Sequence, residues 1–250
     1  MVTLSHSFPN GPRICCFGNV TRTTSPDGLH GRMLYCHGEK AIRQPLCLML
    51  PAPTRESAGF GEIITITEVR PGLRTTAPAD GVFVPAGIKM TVGLQVADCA
   101  PVVLHVPAHG TYVLHCGRPA VAPRPEDGQN LLDDVLAHTG HQRGQAAENV
   151  LAWVGPHISV EHFLHLLPKD QLHVAPFFRL HQEHPHQGVL RHDEERGRVW
   201  IDLQAVLQIS LKGVQVAWQN PCTFGIAGLA SYRRQPNETL TNVNLVLVHC

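Results

Sequence analysis

The sequence predicts an α+β fold, in which mixed β-sheets pack against helices. Strand patterns and helix patterns both occur in the 250 residues, but they do not alternate regularly along the chain. Residues 62–69, EIITITEV, are β-branched and alternating, which is typical of a strand. Residues 129–138 carry apolar side chains at helical spacing. A doubly wound parallel sheet would need regular alternation, so we expect one domain of mixed sheets over residues 1–250.

Most of the predicted elements are strands. Their runs are rich in valine, isoleucine and threonine, and turn residues bound them. Short strands are expected over 80–85 and 199–201, and longer ones over 62–69, 91–97, 101–106, 111–115, 149–154, 214–218 and 242–249.

Three helices are expected. Asp127 caps the first, over 129–138, and a second runs from Ser159 to Leu166. Asp202 caps a third, which extends to about Leu211 before the stop signal of Gly213. Residues 176–197 are polar and rich in histidine, and we expect a mobile loop there.

Composition excludes several classes of function. The formal net charge is zero and 16% of the residues are charged, which argues against nucleic acid or a membrane surface as partner. Apolar runs are far shorter than a membrane span, and the N-terminus has no long apolar signal segment. Eight scattered cysteines without a CxxC pair favour a cytoplasmic chain with reduced thiols. Many of the seventeen histidines lie between 157 and 192, where a polar surface is the simplest interpretation.

The candidate site lies between residues 95 and 120. Asp98 and Cys99 follow one predicted strand, and His115, Cys116 and Gly117 end another. Reactive side chains at the ends of rigid strands are typical of functional sites. Without other information, the simpler interpretation of Cys99 is a small buried residue at the end of a strand, and that of His115 is a core histidine with its hydrogen bonds satisfied. Motifs for nucleotide phosphates or a serine nucleophile are absent from the sequence.

Five motifs in order resemble the YfiH family, whose members are also described as laccase-like or polyphenol oxidase-like. Residues 96–104, VADCAPVVL, resemble its T-A-D-C-x-P-V-L-L motif, and His115-Cys-Gly117 stands where the family has H-A-G-W-R-G. Three further matches are 154–158 (G-P-x-I), 200–203 (L-D-L) and 222–234 (C-T followed by F-S-Y-R-R). Val20-Thr-Arg22 weakly resembles the family's N-terminal T-T-R, and the order and spacing of the resemblance hold from about residue 17 to 248.

The resemblance implies a zinc enzyme with purine nucleoside phosphorylase and adenosine deaminase activities. By likeness, Cys99 and His115 are metal ligands, and a thiolate with imidazoles suits zinc. Copper is less expected, because His184-Pro-His186 is the one H-x-H pair of the kind that multicopper oxidases use. The family's other histidine ligand is replaced by Phe60, which cannot coordinate a metal. His30 and His37 are among the histidines that remain as substitutes. The W-R-G of the family has become Arg118-Pro119-Ala120.

Three further candidate site residues are Asp98, Arg233 and Arg234. Asp98 either orients an imidazole as part of the catalytic group with Cys99, or caps the following turn. Arg233 and Arg234 suit a phosphate, with a solvated basic turn as the alternative. The expected partners are a purine nucleoside and phosphate. The alternative function is a catalytically inactive member that acts as a binding or structural protein, which the replacement at Phe60 favours.

Overall fold

The fold was analysed in a computed structural model, which describes residues 3–21, 45–50, 61–69, 72–141, 147–234 and 242–250. Strands β1 to β7 are Thr3–Ser7, Arg13–Thr21, Leu46–Leu50, Ile63–Thr65, Leu73–Pro78, Gly81–Pro85 and Thr91–Val96. Strands β8 to β15 are Ala100–Val106, Gly110–Cys116, Ala147–Val154, Leu164–Leu166, Leu190–Asp193, Arg198–Ile201, Val214–Trp218 and Asn242–His249. Helices α1 to α4 are Arg118–Val121, Leu131–His138, Gln171–Glu183 and Leu203–Ser210.

The strands form two six-stranded mixed sheets and one small antiparallel sheet. The first sheet has the order β1-β2-β15-β7-β3-β5, and the second has the order β14-β10-β8-β9-β6-β4. Parallel pairs such as β3 with β7 and β10 with β14 stand beside antiparallel pairs such as β8 with β9. The small sheet has the order β11-β13-β12. The α+β prediction with mixed sheets is therefore confirmed.

The two large sheets pack face to face and the helices cover the second sheet. Met49 and Val246 of the first sheet share a core with Val113 and Trp153 of the second. The opposite face of the second sheet contacts apolar residues of all four helices, such as Leu132. The fold thus has three layers: the first sheet, the second sheet, and the helices that cover the second sheet.

Helix α2 begins later than its sequence pattern predicted. We expected Asp127 as the cap, but Asn130 fills that position. The Asn130 side chain accepts hydrogen bonds from the backbone N–H of Leu132 and Asp133, and the Asp133 side chain accepts from the backbone N–H of Asn130. This reciprocal arrangement satisfies N–H groups that a helix start leaves unpaired, and Asp127 instead binds Arg124.

Two other predictions were wrong. Residues 176–197 are not a loop, because they contain most of α3 and the strand β12. Val174, Phe177 and Leu180 form a buried apolar stripe on α3, which the surrounding histidines and the internal Pro176 obscured in the sequence. The helix predicted from Ser159 is a single 3-10 turn, Val160–His162, followed by β11.

The strand predicted over 62–69 is also shorter than expected, since only Ile63–Thr65 pairs within a sheet. Helix α4 is confirmed, and Asp202 caps it by accepting a hydrogen bond from the backbone N–H of Ala205. Among the helices of the described ranges, none is long and apolar enough to cross a membrane.

Candidate metal and substrate site

The site forms at one end of three adjacent strands in the second sheet. β8 and β9 pair so that Pro101 lies opposite His115 and Ala100 opposite Cys116. This register brings Cys99, which directly precedes β8, beside the end of β9. β6 pairs with the other side of β9, and the backbone N–H of His115 donates to the carbonyl of Asp80 at 2.8 Å. Three segments distant in sequence therefore meet at one sheet edge.

Asp80, His115 and Cys99 lie in a row. The Nδ1 atom of His115 is 3.4 Å from Oδ1 of Asp80, and the imidazole is also in hydrogen-bond contact with Cys99. Asp80 is buried, and its second oxygen accepts from the backbone N–H of Gly61 at 2.8 Å. A carboxylate on Nδ1 fixes the orientation of the ring and leaves Nε2 for another partner. Asp80 therefore orients the His115 imidazole next to the thiol of Cys99.

The electrostatic environment of His115 favours positive charge. Burial lowers the pKa of His115, but negative charge on Cys99 and Asp80, together with hydrogen bonds to both, raises it to about 10. A cation between the thiol and the carboxylate is therefore stabilised by its surroundings. In the metal-free chain this cation would be the proton on His115, and a bound metal ion would replace that proton.

Gly117 lets the backbone pass close to these side chains. A Cβ atom at this position would lie 3.0 Å from the sulfur of Cys99 and 3.4 Å from Cε1 of His115. A larger residue here would crowd both groups, so glycine keeps the space around them open.

Asp98 holds the C-terminal loop rather than an imidazole. Its Oδ1 atom accepts a hydrogen bond from the Thr223 hydroxyl at 2.7 Å, and Oδ2 accepts from the backbone N–H of Arg233 at 2.9 Å. Its own carbonyl accepts from the backbone N–H of Ile158. Of the two roles considered for Asp98, the contact with an imidazole is made by Asp80 instead, which the sequence did not single out because nothing local links 80 to 115.

The two arginines predicted to bind substrate differ in their surroundings. The Arg234 guanidinium donates to four backbone carbonyls, those of Thr223, Phe224, Ile226 and Leu229. It thereby fastens the loop 223–229, and a phosphate would have to displace these carbonyls. Arg233 donates to the Leu164 carbonyl at 2.7 Å and lies 5.2 Å from the centre of the Phe163 ring. Of the two, Arg233 is the better candidate for an anion.

Arg118 is a basic residue in the segment that departs from the W-R-G of the family. It follows Gly117 directly, and its guanidinium donates to Nδ1 of His165 at 3.3 Å. Arg118 and Arg233 therefore both lie near His165, since the charges of both lower the pKa of that histidine. Basic side chains beside a cysteine–histidine pair suit an anionic substrate.

The described residues place no third metal ligand beside Cys99 and His115. Phe60, His30 and His37 lie outside the described residues. Within the described ranges, no group of three or more His, Cys, Asp or Glu side chains has a metal-binding arrangement. Cys99 and His115 are thus brought together as predicted, while a further protein ligand is not seen in that part of the chain.

Residues 61–249 match the family described as multi-copper polyphenol oxidoreductase laccase. The chain belongs to this family. The family assignment confirms the YfiH resemblance derived from the five motifs. No curated protein matches the chain by sequence.

Solved structures of family members have the same fold. A DUF152 protein from Neisseria meningitidis is 17% identical, with a TM-score of 0.68 and coverage of 99% of this chain and 98% of that one. YlmD from Geobacillus stearothermophilus is 14% identical, with a TM-score of 0.68 and coverage of 96% and 92%. The hypothetical protein YfiH from Bacillus licheniformis is 13% identical, with a TM-score of 0.64 and coverage of 98% of both chains.

Asp80→Asn tests the support behind His115. The amide keeps the shape of the carboxylate but loses its charge, so we expect zinc affinity to fall about 10–100-fold, as is usual for partners of metal-bound histidines. Zinc affinity is measured by competition with a chelator of known affinity. Asp193→Asn, which changes a carboxylate in the small sheet, is the matched control. Equal zinc affinity in Asp80→Asn and the wild-type protein would show that Asp80 does not orient a ligand.

Proposed function

We propose that this family member is a zinc-dependent enzyme that acts on purine nucleosides, either by phosphorolysis or by deamination of adenosine. The observation that carries the proposal is the contact between Cys99 and the His115 imidazole, with Asp80 behind the ring. Membership of the family supports it, and so do two basic residues: Arg118, which follows Gly117, and Arg233, whose backbone N–H donates to Asp98 next to Cys99. The free state of the seven described cysteines favours the reducing cytoplasm as its location.

The residues present fit zinc in part. A thiolate and an imidazole are ligands that zinc prefers, and Asp80 supplies the carboxylate partner that commonly accompanies a metal-bound histidine. Copper would also accept these ligands, but the family resemblance that suggested Cys99 and His115 implies zinc. The remaining positions would be filled by a residue outside the described ranges, by water or by phosphate.

Bound zinc would act as a Lewis acid toward water or phosphate. The chain's own residues have separate tasks. Asp80 keeps His115 oriented, and Gly117 lets the backbone approach Cys99 and His115 without a side chain that would crowd them. Arg233 and Arg118 would bind and orient the phosphate, whose negative charge their guanidinium groups match. Asp98 secures the loop that carries Arg233.

Both reactions balance without a redox partner. In phosphorolysis, a phosphate oxygen forms a bond to C1′ as the bond from C1′ to N9 breaks, and the base leaves with a proton. In deamination, water adds at C6 of adenine and ammonia leaves. The proposal therefore needs only a nucleoside together with phosphate or water.

The alternative is a catalytically inactive member that binds a ligand or partner. The specific observation in its favour is Phe60, which stands where the family resemblance places a histidine ligand. Loss of a direct ligand would lower the affinity for the metal by more than the roughly 10–100-fold that is lost when a hydrogen-bond partner of a ligand is removed.

A direct measurement separates the two. Zinc is quantified in the purified protein by elemental analysis, and inosine and adenosine are then assayed with and without phosphate. We expect about one zinc per chain, in line with one catalytic zinc site, and release of hypoxanthine or ammonia. Absence of both zinc and turnover would contradict the enzyme and leave the binding protein.

A further inference from the structure

The buried histidine between the two arginines has a defined protonation state. His165 lies on β11 and is 1% exposed. Its Nδ1 atom is 3.3 Å from a guanidinium nitrogen of Arg118, and a guanidinium can only donate. Nδ1 must therefore accept, which places the proton of the neutral ring on Nε2. Asp170 is 3.7 Å from Nδ1 and is too far to compete for that position.

The surroundings keep this ring neutral. Burial lowers the pKa of His165, and the charges of Arg118 and Arg233 lower it further, to about 3. The charge of Asp170, which directly precedes α3, raises this pKa, and His173 on α3 lowers it. At neutral pH the ring therefore remains an acceptor for Arg118.

The neutrality of the acceptor matters for the charge of the site. Arginines are commonly oriented by carboxylates, which cancel their charge. Here the contact with His165 orients the Arg118 guanidinium through a neutral acceptor, and the Arg118 charge also lowers the pKa of the nearby Asp170 carboxylate. The nearby Asp170 carboxylate is bonded to the backbone N–H of Leu166 at 2.9 Å. The carbonyl of Leu164, next to His165, holds Arg233 in the same neutral way.

We infer that His165 is a positioning residue that fixes Arg118 beside Arg233, so that the two guanidinium groups form one binding site for a phosphate oxyanion. The inference rests on the proposed function for the identity of the anion. The Nε2 atom has no hydrogen-bond partner within the described residues, and the ring packs edge-on against Phe163. The buried His165 ring is therefore held through its hydrogen bond from Arg118 at Nδ1.

Two substitutions separate positioning from simple packing. His165→Leu fills the same buried space but removes the acceptor. His165→Asn places an amide oxygen near the position of Nδ1 and retains an acceptor. His173→Asn, at an exposed position of α3, is the control. Binding of inorganic phosphate is measured by calorimetry, and the KM for phosphate and for inosine by steady-state assay.

We expect His165→Leu to weaken phosphate binding roughly tenfold, the effect of one lost oriented contact, while the KM for inosine stays within about twofold. His165→Asn should restore phosphate binding to within about threefold of the wild-type protein. Wild-type phosphate affinity in His165→Leu, equal loss in both variants, or no phosphate binding by the wild-type protein would overturn the inference. Phosphate binding without turnover would contradict the proposed function and leave the positioning role intact.

Discussion

Cys99→Ala is expected to release the metal and reduce inosine turnover by well over about 100-fold, because a direct ligand contributes more than the partners behind it. The thiolate is one of two ligands that the described residues offer, and alanine has no donor atom. The backbone at this position should be retained, since the carbonyl of Asp98 and both its carboxylate oxygens are bonded to other segments. Elemental analysis of the variant measures the metal, and the nucleoside assay measures turnover.

Cys250→Ala is the matched control for Cys99→Ala. Cys250 is also a partly exposed free thiol, but it follows β15, and its backbone N–H donates to the carbonyl of Met90, which directly precedes β7. This control should keep both zinc and activity. His115→Ala should resemble Cys99→Ala, because it removes the other ligand. If His115→Ala retained zinc and turnover, His115 would not be a metal ligand and the site would be assigned wrongly.

The strands could be predicted from the sequence because their signal is local. Runs such as Thr91–Val96 and Asn242–His249 are dense in valine and leucine, and they are buried in the sheets as expected. Helix α3 could not be recognised, because six of its thirteen residues in QLHVAPFFRLHQE are histidine, glutamine, arginine or glutamate, and a proline interrupts the pattern. Only three buried side chains hold that helix to the core.

The site was predictable only where a motif marked it. Cys99 and His115 belong to motifs, and the β8–β9 pairing brings them together. Asp80 and His165 carry no such mark, and their partners lie 35 and 47 residues away along the chain. A contact over that distance depends on sheet register and on the packing of β11, neither of which a residue pattern encodes. The same reason explains why Asp98, adjacent to Cys99 in sequence, faces the C-terminal loop instead.

Arg234→Ala should destabilise the protein, whereas Arg233→Ala should weaken phosphate binding. Arg234 joins four carbonyls of the loop 223–229, and its removal leaves these acceptors without a charged donor. We expect a loss of about 3 kcal/mol in the free energy of unfolding, comparable to the loss of hydrogen bonds to a charged group. For a chain of this size, that corresponds to a fall of about 6–12 °C in Tm.

Arg233→Ala is the matched comparison because the two arginines are neighbours with the same charge. Its side chain makes one carbonyl hydrogen bond and contacts the Phe163 ring, while its backbone bond to Asp98 survives the substitution. We expect a loss of only about 1 kcal/mol of stability but at least a roughly tenfold rise in the KM for phosphate. Calorimetry gives the Tm values, and assays well below both Tm values give the KM. If Arg234→Ala lost phosphate binding while keeping its Tm, the two arginines would have exchanged roles, and the loop would depend on Asp98 and Thr223 instead.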